Sequence, residues 1–297
     1  MLKPQQTEFG HGPATWLSGG QGDETLLFAP ANGFPAGSYK TFLSHFQNDF
    51  NLIGFENRGA WDNTPPSRQF SWRQHADDLI TFLDQRQSSL AQKPVIAMGH
   101  SIGATISAIA AAKRPDLFKA LLMFDPAAIP GRFLPTLAAI APTELMGKLN
   151  LVKRTQNRRQ LWPDRQTFID YHRNKAAYRH FSDDAFNDYA ESGLVETSDG
   201  QYKLRYSREW EAHNFKHTSS PWLALRNIQI PTLILRAEHS YLHKKNEFER
   251  RVKRLPALVS HDVIRGAGHM ALQEDCKQVV ELSRDWLASN NLLSTTV

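Results

Sequence analysis

Ser101 is the residue whose type and spacing most clearly predict chemistry. It lies in the stretch MGHSIGA, where Gly99 and Gly103 flank it in the pattern G-x-S-x-G. This pattern is typical of a nucleophile elbow, a sharp strand-to-helix turn that strains the serine backbone and exposes its hydroxyl above the sheet. Glycines on both sides let the strand and the helix approach closely. We therefore predict that Ser101 is a nucleophile, the alternative being a turn with a purely structural role.

A serine nucleophile needs a general base, and His269 is the candidate among the twelve histidines of the chain. It lies in RGAGHMAL, a turn of small residues just past an apolar run and late in the chain. This position agrees with the chain order serine, acid, histidine that accompanies the elbow pattern. We predict that His269 is the base, the alternative being an ordinary surface or core histidine.

Acyl transfer also needs backbone donors for the oxyanion that forms on the attacked carbonyl group. One donor is expected to be the N–H of Ile102, the residue after the nucleophile. The second is expected from the loop APANGFPAGSY, where Asn32-Gly33-Phe34 forms a turn and Phe34 donates its N–H. The alternative for this loop is a plain turn.

Strand-like apolar runs alternate with helical patterns, and this alternation would position the candidate residues at strand ends. It predicts an α/β fold with a doubly wound, mostly parallel sheet covered by helices on both faces. The predicted strands lie in 25–31, 50–57, 93–100, 118–127, 230–238 and 261–269, and clear helical patterns follow in 71–87 and 274–289.

A long insertion interrupts this alternation between the predicted strands at 118–127 and 230–238. Its length of about 90 residues is too great for a simple loop in a compact domain. We predict that 129–222 forms an inserted helical lid, and that 1–128 and 223–297 together form the core domain.

Four short motifs carry a family resemblance when they are taken together. They are NGFPAG at 32–37, ENRG at 56–59, GHSIG at 99–103 and GAGH at 266–269. The chain resembles the α/β-hydrolase superfamily over the blocks on both sides of the insertion, and 186–215 is similar to lids of esterase-like and lipase-like members. The family usually has His-Gly where this chain has Asn32-Gly33, but a backbone donor does not depend on that side chain.

The acid of the expected triad departs from the family pattern. Members most often place an aspartate after the penultimate strand with the spacing Gly-x-x-Asp, and here Ala237 and Ser240 occupy those two positions. Some members use the end of the strand that follows the elbow helix, and that position corresponds to Asp125. Glu238 is the second candidate, because it lies on the usual strand two places early. A third possibility is that His269 is oriented by another group and the site lacks a carboxylate.

The composition excludes several classes of function. The net charge of +5 comes without a recognisable nucleic-acid-binding motif, and no phosphate-binding glycine pattern follows a strand. The pairs His213/His217 and His239/His243 have helical spacing but lack the glutamate and third ligand of a metal site. We therefore expect no nucleotide cofactor, no metal and no nucleic-acid partner.

The expected location is the cytoplasm. A single cysteine allows no disulfide framework, no apolar stretch approaches the roughly 20 residues of a membrane span, and MLKPQQTEFG lacks the apolar region of a signal peptide. The stretch 148–180 holds nine lysines or arginines against two acids, a local balance of +7. We interpret it as a solvated helix face, the alternative being contact with an anionic substrate or a membrane surface.

The sequence thus predicts a serine hydrolase that acts on a carboxylic ester or related acyl compound through an acyl-enzyme. Ser101 would attack, His269 would transfer the proton, and Asp125 or Glu238 would orient His269. A hydrolase of C–C bonds, a thioesterase or an acyltransferase of the same fold is also compatible, because the triad does not determine the bond cleaved. A non-catalytic ligand-binding protein is the alternative from a different class, favoured by the missing acid at Ser240. The sequence does not predict the oligomeric state.

Overall fold

The computed structural model describes residues 2–9, 12–61, 64–128 and 150–293 of the chain. Its described part contains one eight-stranded sheet, with the strands β1 Lys3–Phe9, β2 Gly12–Gly20, β3 Glu24–Ala29, β4 Phe50–Phe55, β5 Val95–His100, β6 Phe118–Phe124, β10 Thr232–Ala237 and β11 Val259–Ile264. Their spatial order is β1-β2-β4-β3-β5-β6-β10-β11. The six strands from β4 to β11 pair in parallel, which confirms the predicted mostly parallel sheet.

The antiparallel edge of this sheet was not predicted. Strands β1 and β2 pair with one another in antiparallel fashion, and β2 pairs antiparallel with β4. Most side chains of β1 are exposed or half-buried, so this strand shows no apolar run in the sequence.

The inner parallel strands are mostly buried and apolar because both faces of the sheet are covered there, whereas the parallel edge strand β11 is mostly exposed. In β3, Leu26 and Phe28 belong to one buried cluster while Leu27 belongs to the other. Strand β5 divides in the same way, with Ile96 and Met98 on one face and Ala97 on the other. Two hydrophobic cores, one on each face, therefore hold the central strands in place.

Helices cover both faces of the sheet. The core helices are α1 Lys40–Ser44, α2 Trp72–Gln85, α3 Ile102–Lys113, α8 Pro221–Arg226, α9 Lys245–Val252, α10 Ala271–Glu274 and α11 Cys276–Ser289. Helix α2 shows how local sequence sets a boundary, because Ser71 and Gln74 form a reciprocal capping box at its start. None of the helices in the described ranges is long and apolar enough to cross a membrane.

The described part of the insertion, 150–222, combines helices with a small sheet. Its helices are α4 Asn150–Gln156, α5 Arg165–Arg173, α6 Asp183–Gly193 and α7 Arg208–Lys216, and its strands are β7 Leu161–Trp162, β8 Leu194–Glu196 and β9 Tyr202–Leu204. The order β7-β9-β8 forms a three-stranded antiparallel sheet that the sequence did not predict. The predicted start of the lid at 129 and its first part, to 149, lie outside the described residues. Helix α8 crosses the predicted end of the lid at 222.

Candidate active site

Ser101 lies at the turn between β5 and α3, as the elbow pattern predicts. Its φ of 55° and ψ of −117° are a strained combination for a residue other than glycine. A Cβ atom at Gly103 would lie 2.1 Å from the backbone oxygen of Ala29, and one at Gly99 would lie 2.6 Å from the backbone nitrogen of Ala104. Only glycine therefore fits at positions 99 and 103, two residues before and two residues after this serine.

His269 lies within hydrogen-bond distance of the serine hydroxyl. It follows β11 in a loop that contains Gly266, and its Nε2 is 3.0 Å from Oγ of Ser101. Both side chains are largely buried, with 8% of each residue exposed. In this geometry the hydroxyl of Ser101 can donate its proton to Nε2, which is the contact that a general base requires.

Asp125, one residue past the end of β6, contacts the other ring nitrogen of His269. The distance between Nδ1 of His269 and Oδ2 of Asp125 is 2.6 Å. Oδ2 also accepts a hydrogen bond from the hydroxyl of Ser240 at 2.7 Å, and Oδ1 accepts one from the backbone N–H of Ala237 at 3.1 Å. The structure therefore joins Ser101, His269 and Asp125 in one continuous chain of hydrogen bonds.

The surroundings of Asp125 favour its charged form. Burial opposes ionisation, but the hydrogen bond and charge of His269, the charge of His243 and the hydroxyl of Ser240 together lower the pKa of Asp125 below its ordinary value. The backbone of Asp125 has a φ of 39°, in the left-handed region that non-glycine residues seldom adopt.

Glu238, the second candidate for the acid, faces a different group. Its Oε2 accepts a hydrogen bond from the backbone N–H of Gly266 at 2.8 Å, and its Oε1 lies 3.7 Å from Arg265. The side chain is exposed, and the Gly266 hydrogen bond is the main cause of its lowered pKa. The structure brings Asp125 to His269 and does not bring Glu238 there.

The expected oxyanion donors differ in their present partners. Ile102 is the first residue of α3, and the first N–H groups of a helix have no acceptor within it. The N–H of Phe34 instead donates to the carbonyl oxygen of Ala31 at a long 3.2 Å and closes a turn. This second donor therefore serves the loop rather than the cavity.

The loop that carries Phe34 is held by the insertion. Gly33 has a φ of 82°, and a Cβ atom there would lie 2.8 Å from the carboxylate of Glu211. The side-chain amide of Asn32 donates to the backbone oxygen of Glu211, and its oxygen accepts from Tyr206 and Asn214. The sequence did not predict these contacts, because they join residues about 180 positions apart.

A cavity of about 800 Å³ leads to Ser101 and His269. Part of its wall consists of Phe34 from the loop after β3 and Tyr178 from the insertion. The ring of Tyr241 lies edge-on to His269 with the centroids 5.0 Å apart, and 75% of this tyrosine is exposed. The cavity is large enough for a small-molecule substrate.

Most described cations of the basic stretch contact other parts of the insertion. Arg158 forms a largely buried ion pair with Glu211, which lines the cavity, and it also donates to the hydroxyl of Tyr189. The other such contacts are Arg159 on the Trp162 ring, Arg165 with Tyr202, Arg173 with Asp183, and Lys175 on the Tyr171 ring. Lys148 lies outside the described residues.

One histidine of each pair contacts a backbone oxygen through its ring. Nε2 of His213 contacts the backbone oxygen of Phe70, and Nε2 of His243 contacts that of Pro126. Across the described ranges, no group of three or more histidine, cysteine, aspartate or glutamate side chains could hold a metal ion.

Known proteins resemble this chain in sequence and in fold. A sequence model of the alpha/beta hydrolase fold matches residues 31–275. The chain is 31% identical over 107 residues to Karrikin insensitive 2 receptor CA from Petunia hybrida, a match that covers 35% of this chain and 38% of the receptor. It is 27% identical over 206 residues to 2-(acetamidomethylene)succinate hydrolase from Mesorhizobium japonicum, covering 69% of this chain and 66% of that enzyme. Each of these two matches therefore spans less than two thirds of the relative's own length.

The structural comparison supports the same fold. The crystal structure of E-2-(acetamidomethylene)succinate hydrolase superposes with a TM-score of 0.78 at 22% identity, covering 97% of this chain and all of that chain. At this identity the likeness shows the fold and does not show a shared substrate.

Proposed function

Because this chain belongs to the α/β-hydrolase family, as its motifs predict, we propose that it is a serine hydrolase that cleaves a carboxylic ester or a related acyl compound. The observation that carries the proposal is the chain of hydrogen bonds from Ser101 through His269 to Asp125. These three residue types in this order of contact form the nucleophile, base and acid of acyl transfer.

In the proposed reaction, Oγ of Ser101 attacks the carbonyl carbon of the substrate while its proton moves to Nε2 of His269. The resulting tetrahedral intermediate collapses when His269 returns that proton to the leaving group, and the acyl group stays on Ser101. Water then attacks the acyl-enzyme, with His269 acting again as base and acid. No cofactor takes part in these steps.

Asp125 supports both proton transfers. By accepting the hydrogen bond from Nδ1–H, it holds His269 in the tautomer whose Nε2 is free to accept the serine proton. Once His269 is protonated, the carboxylate of Asp125 stabilises the positive charge. The hydroxyl of Ser240 helps to keep that carboxylate ionised and oriented.

The oxyanion is proposed to bind the backbone N–H groups of Ile102 and Phe34. The first N–H lies at the start of α3, where the helix dipole also favours negative charge. The second must exchange its long hydrogen bond with Ala31 for one with the substrate oxygen.

The names of the relatives indicate which compounds to test as substrates. The Mesorhizobium japonicum relative is named as a hydrolase of 2-(acetamidomethylene)succinate, so this compound belongs in a substrate panel with short and medium esters and thioesters. C–C bond hydrolysis and acyl transfer would use the same groups and remain alternatives.

A ligand-binding protein is the second candidate, because the Petunia hybrida relative is named as a receptor. The two candidates differ in the reactivity of Ser101. Only a serine that a base activates reacts quickly with a fluorophosphonate probe.

The test is fluorophosphonate labelling of the wild type, Ser101→Ala and Ser107→Ala, followed by turnover of p-nitrophenyl esters. Ser107 is a matched control, because it lies buried on α3, the helix that begins just after Ser101, and its hydroxyl has no hydrogen-bond partner among the described residues. We expect the wild type and Ser107→Ala to label and turn over ester, and Ser101→Ala to do neither. If the wild type neither labels nor hydrolyses any compound of the panel, the enzyme proposal fails and the receptor reading takes its place.

A further inference from the structure

His100, the residue before the nucleophile, has no part in the proposed proton transfers, yet it is fully buried beside them. Its Nε2 lies 2.8 Å from the backbone oxygen of His269, and its Nδ1 lies 2.8 Å from the hydroxyl of Tyr39. The rings of His100 and His269 are 5.0 Å apart between centroids. A buried histidine with both ring nitrogens occupied is held in one orientation.

The partners of His100 determine where its proton lies. The oxygen of His269 only accepts, so Nε2 carries the hydrogen. Burial, together with the charge on His269, lowers the pKa of His100 to about 3, so the ring is neutral near pH 7 and Nδ1 is an acceptor. The hydroxyl of Tyr39 must then donate to Nδ1.

The hydroxyl of Tyr39 also makes a hydrogen bond to the loop after β3. Its oxygen accepts the backbone N–H of Ala31 at 3.2 Å. Ala31, Tyr39 and His100 are all buried, with 3%, 2% and 0% exposed, so these hydrogen bonds are shielded from solvent. Three directed hydrogen bonds therefore connect Ala31 with the backbone of His269.

This series of hydrogen bonds ends at the two parts of the site whose relative position matters most, the loop of the oxyanion donor and the residue that carries the base. Ala31 begins the turn that carries Phe34, and its own carbonyl oxygen accepts the N–H of Phe34. His269 carries the ring that faces Ser101. A change at either end alters the distance between the oxyanion donor and the base.

We propose that Tyr39 and His100 form a positioning relay that fixes the loop of the oxyanion donor relative to the backbone of His269. This inference rests on the proposed function, since it assigns the relay to the same reaction. Neither residue touches the reacting atoms, so both are positioning residues. The relay requires a neutral His100, because a charged ring at this distance would oppose the positive charge that forms on His269.

The relay is tested with Tyr39→Phe, which removes the hydroxyl and keeps the ring. Displacement of a catalytic group by about 1 Å can lower a rate about 100-fold. We expect kcat and the rate of fluorophosphonate labelling to fall about 10-fold to 100-fold, with KM within about twofold of the wild type. Ser283→Ala is the control, because it removes a fully buried hydroxyl on α11 that donates to Val279 away from the site.

A purely structural role would give a different result. In that case Tyr39→Phe and Ser283→Ala would lower the melting temperature and leave kcat unchanged. Such an outcome would overturn the relay, whereas a loss of kcat confined to Tyr39→Phe supports it.

A second measurement does not depend on activity. The ¹⁵N chemical shifts of the His100 ring should show a protonated Nε2 and an unprotonated Nδ1 from pH 5 to pH 8 in the wild type. In Tyr39→Phe, the Nδ1 shift should move and the backbone signals of His269 should broaden or shift. If the wild type is inactive, the proposed function fails. The relay is then rejected if the His269 signals are identical in the two proteins, and it stands as a structural link if they differ.

Discussion

Replacing Asp125 with asparagine should lower kcat about 10⁴-fold, or about 5.5 kcal/mol of transition-state stabilisation. The reason lies in the donors around the carboxylate. Oδ1 accepts from the backbone N–H of Ala237, which can only donate, so the amide oxygen of asparagine must take that place. The NH₂ group then faces Nδ1 of His269 and stabilises the tautomer that carries its proton on Nε2. That tautomer cannot accept the proton of Ser101.

The assay is steady-state hydrolysis of a p-nitrophenyl ester by the wild type, Asp125→Asn and Glu238→Gln. Glu238 contacts Gly266 rather than His269, so Glu238→Gln should keep kcat within about twofold of the wild type. The reasoning is refuted if Asp125→Asn retains more than a tenth of wild-type kcat. It is also refuted if Glu238→Gln loses as much activity as Asp125→Asn.

The double variant Asp125→Asn/Ser240→Asp extends this test. The hydroxyl of Ser240 lies 2.7 Å from Oδ2 of Asp125, so a carboxylate at position 240 begins close to Nδ1 of His269. We expect at least a tenfold recovery of kcat over Asp125→Asn alone. A double variant no more active than the single one would show that position 240 cannot orient His269.

Three further predictions concern packing and pH. Gly103→Ala should abolish fluorophosphonate labelling of Ser101 and lower the free energy of unfolding by at least about 2 kcal/mol, because its Cβ would meet the backbone oxygen of Ala29. Probe labelling measures the first effect and thermal denaturation the second. Burial raises the pKa of Glu56 to about 7 from an ordinary 4.5, so its contribution to stability is full below pH 4.5 and is lost as the pH rises through 7. In urea denaturation, the free energy of unfolding of the wild type should therefore fall by about 3 kcal/mol between pH 4.5 and pH 7 because of this group. Glu56→Gln should not show that fall. Arg158→Leu removes the partner of the Glu211 carboxylate and should lower the free energy of unfolding by about 3–5 kcal/mol in urea denaturation. Adding Glu211→Gln should restore part of that free energy.

The inner parallel strands of the fold were predictable because both of their faces are buried. A strand buried on both faces reads as a continuous apolar run, and 118–127 and 230–238 show this directly. The N-terminal strand Lys3–Phe9 was missed because it pairs at an edge with few buried side chains. The strands Leu161–Trp162 and Tyr202–Leu204 were missed because two or three residues are too few to show a period.

Local chemistry decided how much of the site could be predicted. Ser101 and His269 each lie in a turn of small residues, and such turns are visible in a single stretch of sequence. The choice between Asp125 and Glu238 depends on which side chain reaches across the sheet, and periodicity along one strand does not contain that information. The contact between Tyr39 and His100 joins positions 61 apart through side chains that read as ordinary core residues.

The strand order explains how Asp125, the candidate acid just past the end of β6, can lie near the candidate nucleophile. Strand β6 lies between β5, which ends at the nucleophile, and β10, after which the family usually places its acid. The backbone N–H of Ser101 donates to Phe124 on β6, and that of Asp125 donates to Leu235 on β10. A carboxylate immediately after β6 is therefore one strand nearer to Ser101 than an acid after β10 would be, and it contacts His269 in the loop after β11. The hydroxyl of Ser240, which stands where the family usually places its acid, donates a hydrogen bond to this carboxylate and so helps to hold it in place.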